Sequence, residues 1–386
     1  DCQHFEQVSG GVAMSDRVKP SRMLVRLDAE MAAARSPLEA DCKRVELASY
    51  LARLGQIGQA RSELEEMRRK YALSPNVVMS AWLNLVEGVI GHFDNMDPAA
   101  RNKILRAHAL SSAANLSRVR ALTSAWLAHM DYLQVDFASM ARHAAEALRL
   151  SVDDEHSVRS RVSLVIAQSY HLAGRLDLAL PWYGLARSHA AADGDDATLS
   201  ALMHNMAWLR AQRLRAADCG LALEPTRIER HALLGADSTA NFDSLIGSKS
   251  LRALVPILRA QILTVRKQYS EALGIFEVEL QAAVRDGMGR LEADLLADQA
   301  WCRLQCGQRE SALRDALLAE TSINPTGHFD DRALAYGRLA QTFDALNQFD
   351  RAERTRRLAA VAWSGHVILQ AEIVQILAPL VQPITP

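Results

Sequence analysis

The chain has 386 residues and a mass of 42.5 kDa, with 44 Lys and Arg against 45 Asp and Glu, a formal net charge of −1. Apolar residues make up 49% and aromatics 5%, and 63 Ala with 53 Leu form about 30% of the chain, both strong helix formers. Such a chain is too apolar for intrinsic disorder. It is too neutral to carry a global footprint for nucleic acid or an anionic membrane, and too poor in β-branched and aromatic residues for a sandwich or barrel. What remains is a large all-α protein, which length alone would divide into two or three domains.

Residues 1–13 (DCQHFEQVSGGVA) are polar and lack the apolar run of a secretory signal. The segment 1–18 is expected to be disordered. A more natural start at Met14 suggests an upstream remnant, or a fragment of something longer. The five cysteines, Cys2, Cys42, Cys219, Cys302 and Cys306, are few and scattered, the usage of a reducing, cytoplasmic compartment. No apolar run reaches the ~18 residues of a membrane helix; Val367–Val381 comes nearest and carries Gln370, Glu372 and Gln375. From about residue 20 onward, apolar residues recur at i, i+3, i+4 and i+7, the helical period. Breaks fall at Gly55–Gly58, Asp94–Pro98, Asp153–Asp154, Gly174, Asp193–Asp196, Gly307, Asn324–Gly327 and Asn347. Helices in antiparallel pairs are the expectation.

Five of these pairs share one pattern: a small residue, a large one three on, a turn position four further, then two and three more steps to an Ala. The sets are Ala48, Leu51, Gly55, Ile57, Ala60; then Ala167, Tyr170, Gly174, Leu176, Ala179; then Ala260, Leu263, Lys267, Tyr269, Ala272. The last two are Ala300, Arg303, Gly307, Arg309, Ala312 and Ala340, Phe343, Asn347, Phe349, Ala352. The reason is steric. The small residues sit where two helices approach most closely, and a larger side chain there would force the backbones apart. Gly or Asn ends the first helix in a left-handed cap; Lys267 is the one poor turn residue of the five.

The pattern resembles the tetratricopeptide repeat (TPR) family, residue by residue at Ala167, Gly174, Leu176, Ala179, Tyr183 and Ala186. Weaker units fall around Ala81–Ala107, Ala128–Ala147 and Ala207–Ala222. The family's usual period is 34 residues; here Ala272, Ala312 and Ala352 are 40 apart. The longer unit is similar to repeats in sensor domains of bacterial signal-transducing regulators and in kinesin light chains. The resemblance implies a right-handed α-α superhelix, a TPR-like solenoid of about eight antiparallel helix pairs. Its expected organisation is an N-terminal subarray over 19–212, an irregular connection over 213–250 with a helix at Pro225–Leu234, and a C-terminal subarray over 251–386. Leu358–Leu380 is expected to cap the array, ended by Pro379 and Pro383.

No catalytic motif emerges. Gly55–Gly58 lacks the Gly-Lys-Ser/Thr of a phosphate loop, and no His-Glu-x-x-His is present. Cys302 and Cys306 lie four apart on a helix, but no second pair accompanies them, so they read as small fillers at helix contacts. The twelve histidines accompany no nucleophile motif. Asp153–Glu155 and Asp193–Asp196 read as helix N-caps, and Arg351, Arg354, Arg356 and Arg357 as a solvated face. No enzyme activity, cofactor or metal is expected.

The better candidate is the groove. The resemblance implies that the first helices of successive pairs line a concave side. Its inner positions would hold His129 and Tyr132, Gln168 and His171, then His204, Asn205, Trp208 and Gln212, and further along Gln261, Trp301, Gln305, Gln341 and Asp344. Amide, imidazole and aromatic groups together suit an extended peptide or a partner helix, although Trp208 and Trp301 could equally pack between neighbouring units. The family's charged clamp for chaperone C-termini is not matched: Arg161 and Asn205 are its only hints, and Trp126, Val165 and Leu258 stand where polar residues should. The expected function is a non-enzymatic scaffold binding a protein or peptide partner, with no nucleic acid and no membrane. A homodimer through the terminal pairs is open, since an uncapped apolar end associates. The alternative is the regulatory sensor region of a bacterial signalling or transcription-control protein, its output domain elsewhere.

Overall fold

A computed structural model of the chain describes residues 21–222, 232–246, 248 and 253–380. The described residues form seventeen α-helices and one short 3-10 helix, with no strand. The first eight helices are α1 (Arg22–Ala32), α2 (Pro37–Arg53), α3 (Ile57–Tyr71), α4 (Val77–Asn95), α5 (Ala100–Ala113), α6 (Ser117–Leu133), α7 (Phe137–Leu150) and α8 (His156–Leu172). The middle holds α9 (Leu176–Asp193), α10 (Asp196–Asp218), α11 (Ala232–Ile246) and α12 (Leu254–Val265). The last are α13 (Tyr269–Arg285), the 3-10 turn Met288–Leu291, α14 (Glu292–Gln305), α15 (Arg309–Ser322), α16 (Phe329–Ala345) and α17 (Phe349–Leu377).

Local chemistry sets the ends. Ser36, Asn76, Asp136 and Asp195 accept backbone N–H bonds at the starts of α2, α4, α7 and α10. All five turn positions of the repeated pattern are left-handed: Gly55 (φ 78°), Gly174 (73°), Lys267 (62°), Gly307 (81°) and Asn347 (63°). The contact alanines Ala48, Ala60, Ala167, Ala179, Ala260 and Ala272 have no exposed surface, and neither do Ala300 and Ala312. Within each hairpin, one helix packs on the next, as in α8 on α9 and α16 on α17. The even-numbered helices also pack on one another in sequence, from α2 on α4 to α14 on α16. Two layers result, a row of even-numbered helices and a row of odd-numbered ones behind it, except that α17 folds back onto α7 and α8.

Three features depart from the sequence reading. The stretch expected to be an irregular connection contains α11, a helix over 232–246 that packs between α10 and α12. The expected Pro225–Leu234 helix lies mostly outside the described residues, as do the 1–18 segment and Pro383. Finally, α17 runs unbroken for 29 residues, and by length and composition alone it is apolar enough to cross a membrane. Its polar residues are spread along its length, so no continuous apolar run marks it in the sequence. One of its faces packs inward: Ile373 and Leu377 are fully buried among α7, α8 and α9, and Gln370 Nε2 donates to the Leu172 carbonyl at 2.8 Å.

That contact is one of several between distant parts of the chain. Arg53 Nη2 on α2 donates to both Asp195 carboxylate oxygens and to Thr198 Oγ1, each at 2.6 Å. Gly287 (φ 109°) lies against the turn after α4, where an added Cβ would stand 2.8 Å from Met96 Cγ. The row of helices therefore curls until its members touch across an interior.

Candidate functional site

The described residues leave this interior open. A cavity of about 500 Å³ is lined by residues from Arg53 on α2 to Leu369 on α17. Several inner helices contribute a stripe at helical spacing. The longest comes from α10: Ala197, Ser200, Ala201, His204, Asn205 and Trp208. Beside it α8 presents Arg161, Leu164, Gln168 and Leu172. Then come His92 and Phe93 of α4 with His129 and Tyr132 of α6. Leu254, Met288, Leu291 and Leu369 close the far side with apolar surface. The exposed lining residues Asp97, Pro98, Leu133, Gln134 and Phe329 mark the rim.

The chamber's histidines are held toward the neutral form. Burial holds His92 and His204 down to about 4. His129 is lowered well below its ordinary value by burial, by His92 and by Arg161. His92 and His129 face each other through their Nε2 atoms at 3.4 Å, so one imidazole donates and the other accepts. His204 stacks on Trp208, with centroids 6.2 Å apart. Gln168 Oε1, His204 Nδ1 and His366 Nδ1 are buried and have no hydrogen-bond partner among the described residues. Such orphaned groups are uncommon in a finished core.

The cations differ sharply. Arg53 is paired with Asp195, whose remaining capacity is taken by Thr198 through its amide and hydroxyl. Arg101 bonds Asp131, which also holds His143 at 2.6 Å. Arg290 bonds Asp331 at 2.6 Å and faces His328. His328, Asp330 and Asp331 bring ligand atoms within 4.8 Å of one another, but Arg290 already supplies the positive charge that a metal would bring. Arg161 is the exception. It is 5% exposed, its guanidinium lies 4.0 Å from the Trp126 ring centre, and no carboxylate, carbonyl or hydroxyl among the described residues accepts from it. Burial and the nearby Arg53 charge pull it down to about 9, partly opposed by Asp195. It still carries its proton at neutral pH.

The thirteen groove residues divide. Six line the chamber: His129, Tyr132, Gln168, His204, Asn205 and Trp208. The other seven lie elsewhere. His171 is buried against the Tyr183 hydroxyl at 3.1 Å. Gln212, Gln261 and Gln341 brace a buried ion network: Gln212 accepts from Arg215, Gln261 Nε2 donates to Asp294, and Gln341 Nε2 donates to the Asp218 carbonyl. Trp301 packs edge-on against Tyr269 beneath Arg338. Gln305 and Asp344 are exposed. Cys302 is buried beside Thr264 Oγ1 at 3.2 Å, its thiol pushed up to about 12 by burial, while Cys306 is exposed, so the two do not converge.

Sequence reasoning weighed Arg161 only as a fragment of a chaperone clamp. It did not find Arg53, His92, Ser200 or His366. The inner stripe of α10 is legible as a period; the approach of α4, α16 and α17 to it is not. No protein-family model matches the chain, and no curated protein matches it in sequence.

Proposed function

We propose that this chain is a non-enzymatic recognition module whose binding site is the central chamber, and that its helix pairs form a right-handed, TPR-like superhelix wound tightly enough to enclose that site. The buried contact alanines and the left-handed turns at the repeated positions support the repeat reading. The observation that carries the binding reading is the chamber itself: about 500 Å³, walled by stripes from both ends of the chain. That is the size of a pocket for a compact ligand. It suits a small molecule or a peptide of a few residues better than the extended partner or helix that an open groove would take.

The same geometry favours the sensor reading over a passive scaffold. The walls come from α2 as well as α17, so an occupant touches segments far apart in sequence and biases how the ends sit. The four described cysteines are unpaired, which supports a reducing compartment.

The test is the mass of the full chain, purified without denaturation from its own host and sprayed from volatile buffer. A non-covalent adduct of small-molecule size is expected. Ala201→Trp, which places an indole in the chamber, should lose it while keeping its helical circular dichroism. An adduct retained unchanged by Ala201→Trp would place binding elsewhere.

A further inference from the structure

We infer that the chamber takes a ligand with a single carboxylate, held by Arg161, and an uncharged body lying between Trp208 and the apolar wall. The inference rests on the chamber being a binding site and goes further by naming the chemistry of the occupant.

The first ground is the state of Arg161. A guanidinium carries five N–H donors, and a buried charge is ordinarily paired. The other arginines of the chamber obey that rule, through Asp195, Asp131 and Asp331. Among the described residues Arg161 has the face of Trp126 and no acceptor. Its guanidinium lies 4.0 Å from the ring centre, and a guanidinium without a protein acceptor can receive a carboxylate through two parallel bonds. Asp195 does not fill the role, because its oxygens are already engaged by Arg53 and Thr198.

The second ground is what surrounds it. His92 and His129, next to Arg161, are neutral. They add polarity without adding charge, so one positive charge is unbalanced at this end. Elsewhere the lining carries Asp97, Asp243, Asp330 and Asp331. Asp97 caps the Ala99 amide, Asp243 accepts from Ser200, and Asp331 pairs with Arg290. A dianion or a second anionic group would meet these carboxyls, whereas one carboxylate meets the one guanidinium that lacks an acceptor among the described residues. The orphaned Gln168 Oε1 and His204 Nδ1 provide hydrogen-bonding capacity along the body. Trp208, Leu164 and Leu254 provide its apolar contact.

A monocarboxylate could be a free organic acid or the C-terminus of a short peptide, and matched probes separate the two. The full chain is titrated with 3-phenylpropanoate and its amide, with N-acetyl-Leu-Phe as acid and as C-terminal amide, and with inorganic phosphate. Calorimetry and thermal unfolding are the readouts, for wild type, Arg161→Met, Arg161→Lys and Ala201→Trp. At least one acid should bind wild type tenfold or more tighter than its amide. That preference should vanish in Arg161→Met and be reduced in Arg161→Lys, which keeps the charge but not the fork. The acid that wins identifies the source. Ligand-free Arg161→Met should melt at or above the wild-type temperature, because an unpaired buried charge is removed; an arginine present to build the core would give a fall.

The inference is overturned by equal binding of acid and amide in wild type, by a preference that survives Arg161→Met, by tighter binding of phosphate than of either acid, or by no acid binding at millimolar concentration. Equal acid and amide binding that Ala201→Trp abolishes leaves the chamber standing as the site and removes only the carboxylate. Binding that Ala201→Trp leaves intact removes both.

Discussion

Among the described residues, five other than glycine hold a left-handed backbone: Met96, Asn115, Val135, Lys267 and Asn347. Each ends a helix at a turn, where the next helix must reverse direction. For a residue with a Cβ that conformation costs on the order of 1 kcal/mol, and Lys267 has no short polar side chain to offset it. Lys267→Gly should therefore raise stability by about 0.5–1 kcal/mol in urea unfolding; a lower midpoint would mean that the lysine stem contributes more packing than its backbone costs. The buried histidines give a second residue-level prediction. His204 is held at about 4 against 6.5 when unfolded, by burial alone. Its neutral form is favoured in the fold, so its contribution is fully present above pH 6.5 and is lost as pH falls from 6.5 toward 4. Over that window wild type should lose stability relative to His204→Gln, by an amount that scales at about 1.4 kcal/mol per pH unit at most. Parallel curves for the two proteins would contradict it. Lys267 was legible in the sequence as the misfit of its set. The neutrality of His204 was not, because it depends on helices that sequence spacing does not bring together.

Among the elements, the repeated alanines tie α2 to α3 and α16 to α17 by close approach, and the sequence shows that directly. A different device joins α10, α14 and α16. Arg215 bonds Asp294 at 2.7 and 2.9 Å and reaches Asp298 at 2.7 Å. Arg338 bonds Asp298 at 2.9 Å and Asp218 at 2.7 Å. Both guanidinium groups are 1% exposed. Asp298→Ala leaves two buried cations short of a partner, and such a loss costs about 3–5 kcal/mol. Urea unfolding should show it, with amides of α14 and α16 exchanging fastest; a loss under 1 kcal/mol would mean that water takes over the carboxylate's role. No spacing rule finds this network, since its members lie 40 to 123 residues apart. The glutamines that brace it, Gln212, Gln261 and Gln341, were read as groove residues because periodicity gives the face of a helix but not what covers that face. The helix α11 escaped for a related reason: Gly235, Asp237, Ser238 and Asn241 are turn formers by propensity, and packing between α10 and α12 overrides it.

For the molecule as a whole, the repeat pattern encodes how each pair meets the next and says little about where the row ends up. That outcome depends on contacts such as Arg53 with Asp195, Gly287 with Met96, and the end of α17 with α7 and α8. Ile373 sits at the last of these with no exposed surface. Ile373→Ala should cost about 2–5 kcal/mol and should speed amide exchange in α8, more than two hundred residues away in sequence; protection of α8 unchanged from wild type would show that α17 does not hold the array closed. All-α architecture, paired helices and six of the chamber residues could be read from the chain alone. The chamber could not, because it exists only once both ends fold back against the middle of the row.

The most direct measurement is a crystal structure of the full chain purified without denaturation from its own host. The account predicts continuous density in the chamber, with a planar two-oxygen head about 2.7–2.9 Å from the Arg161 nitrogens and a body against Trp208. A chamber holding only water, with Arg161 turned onto a protein carboxylate, would contradict it.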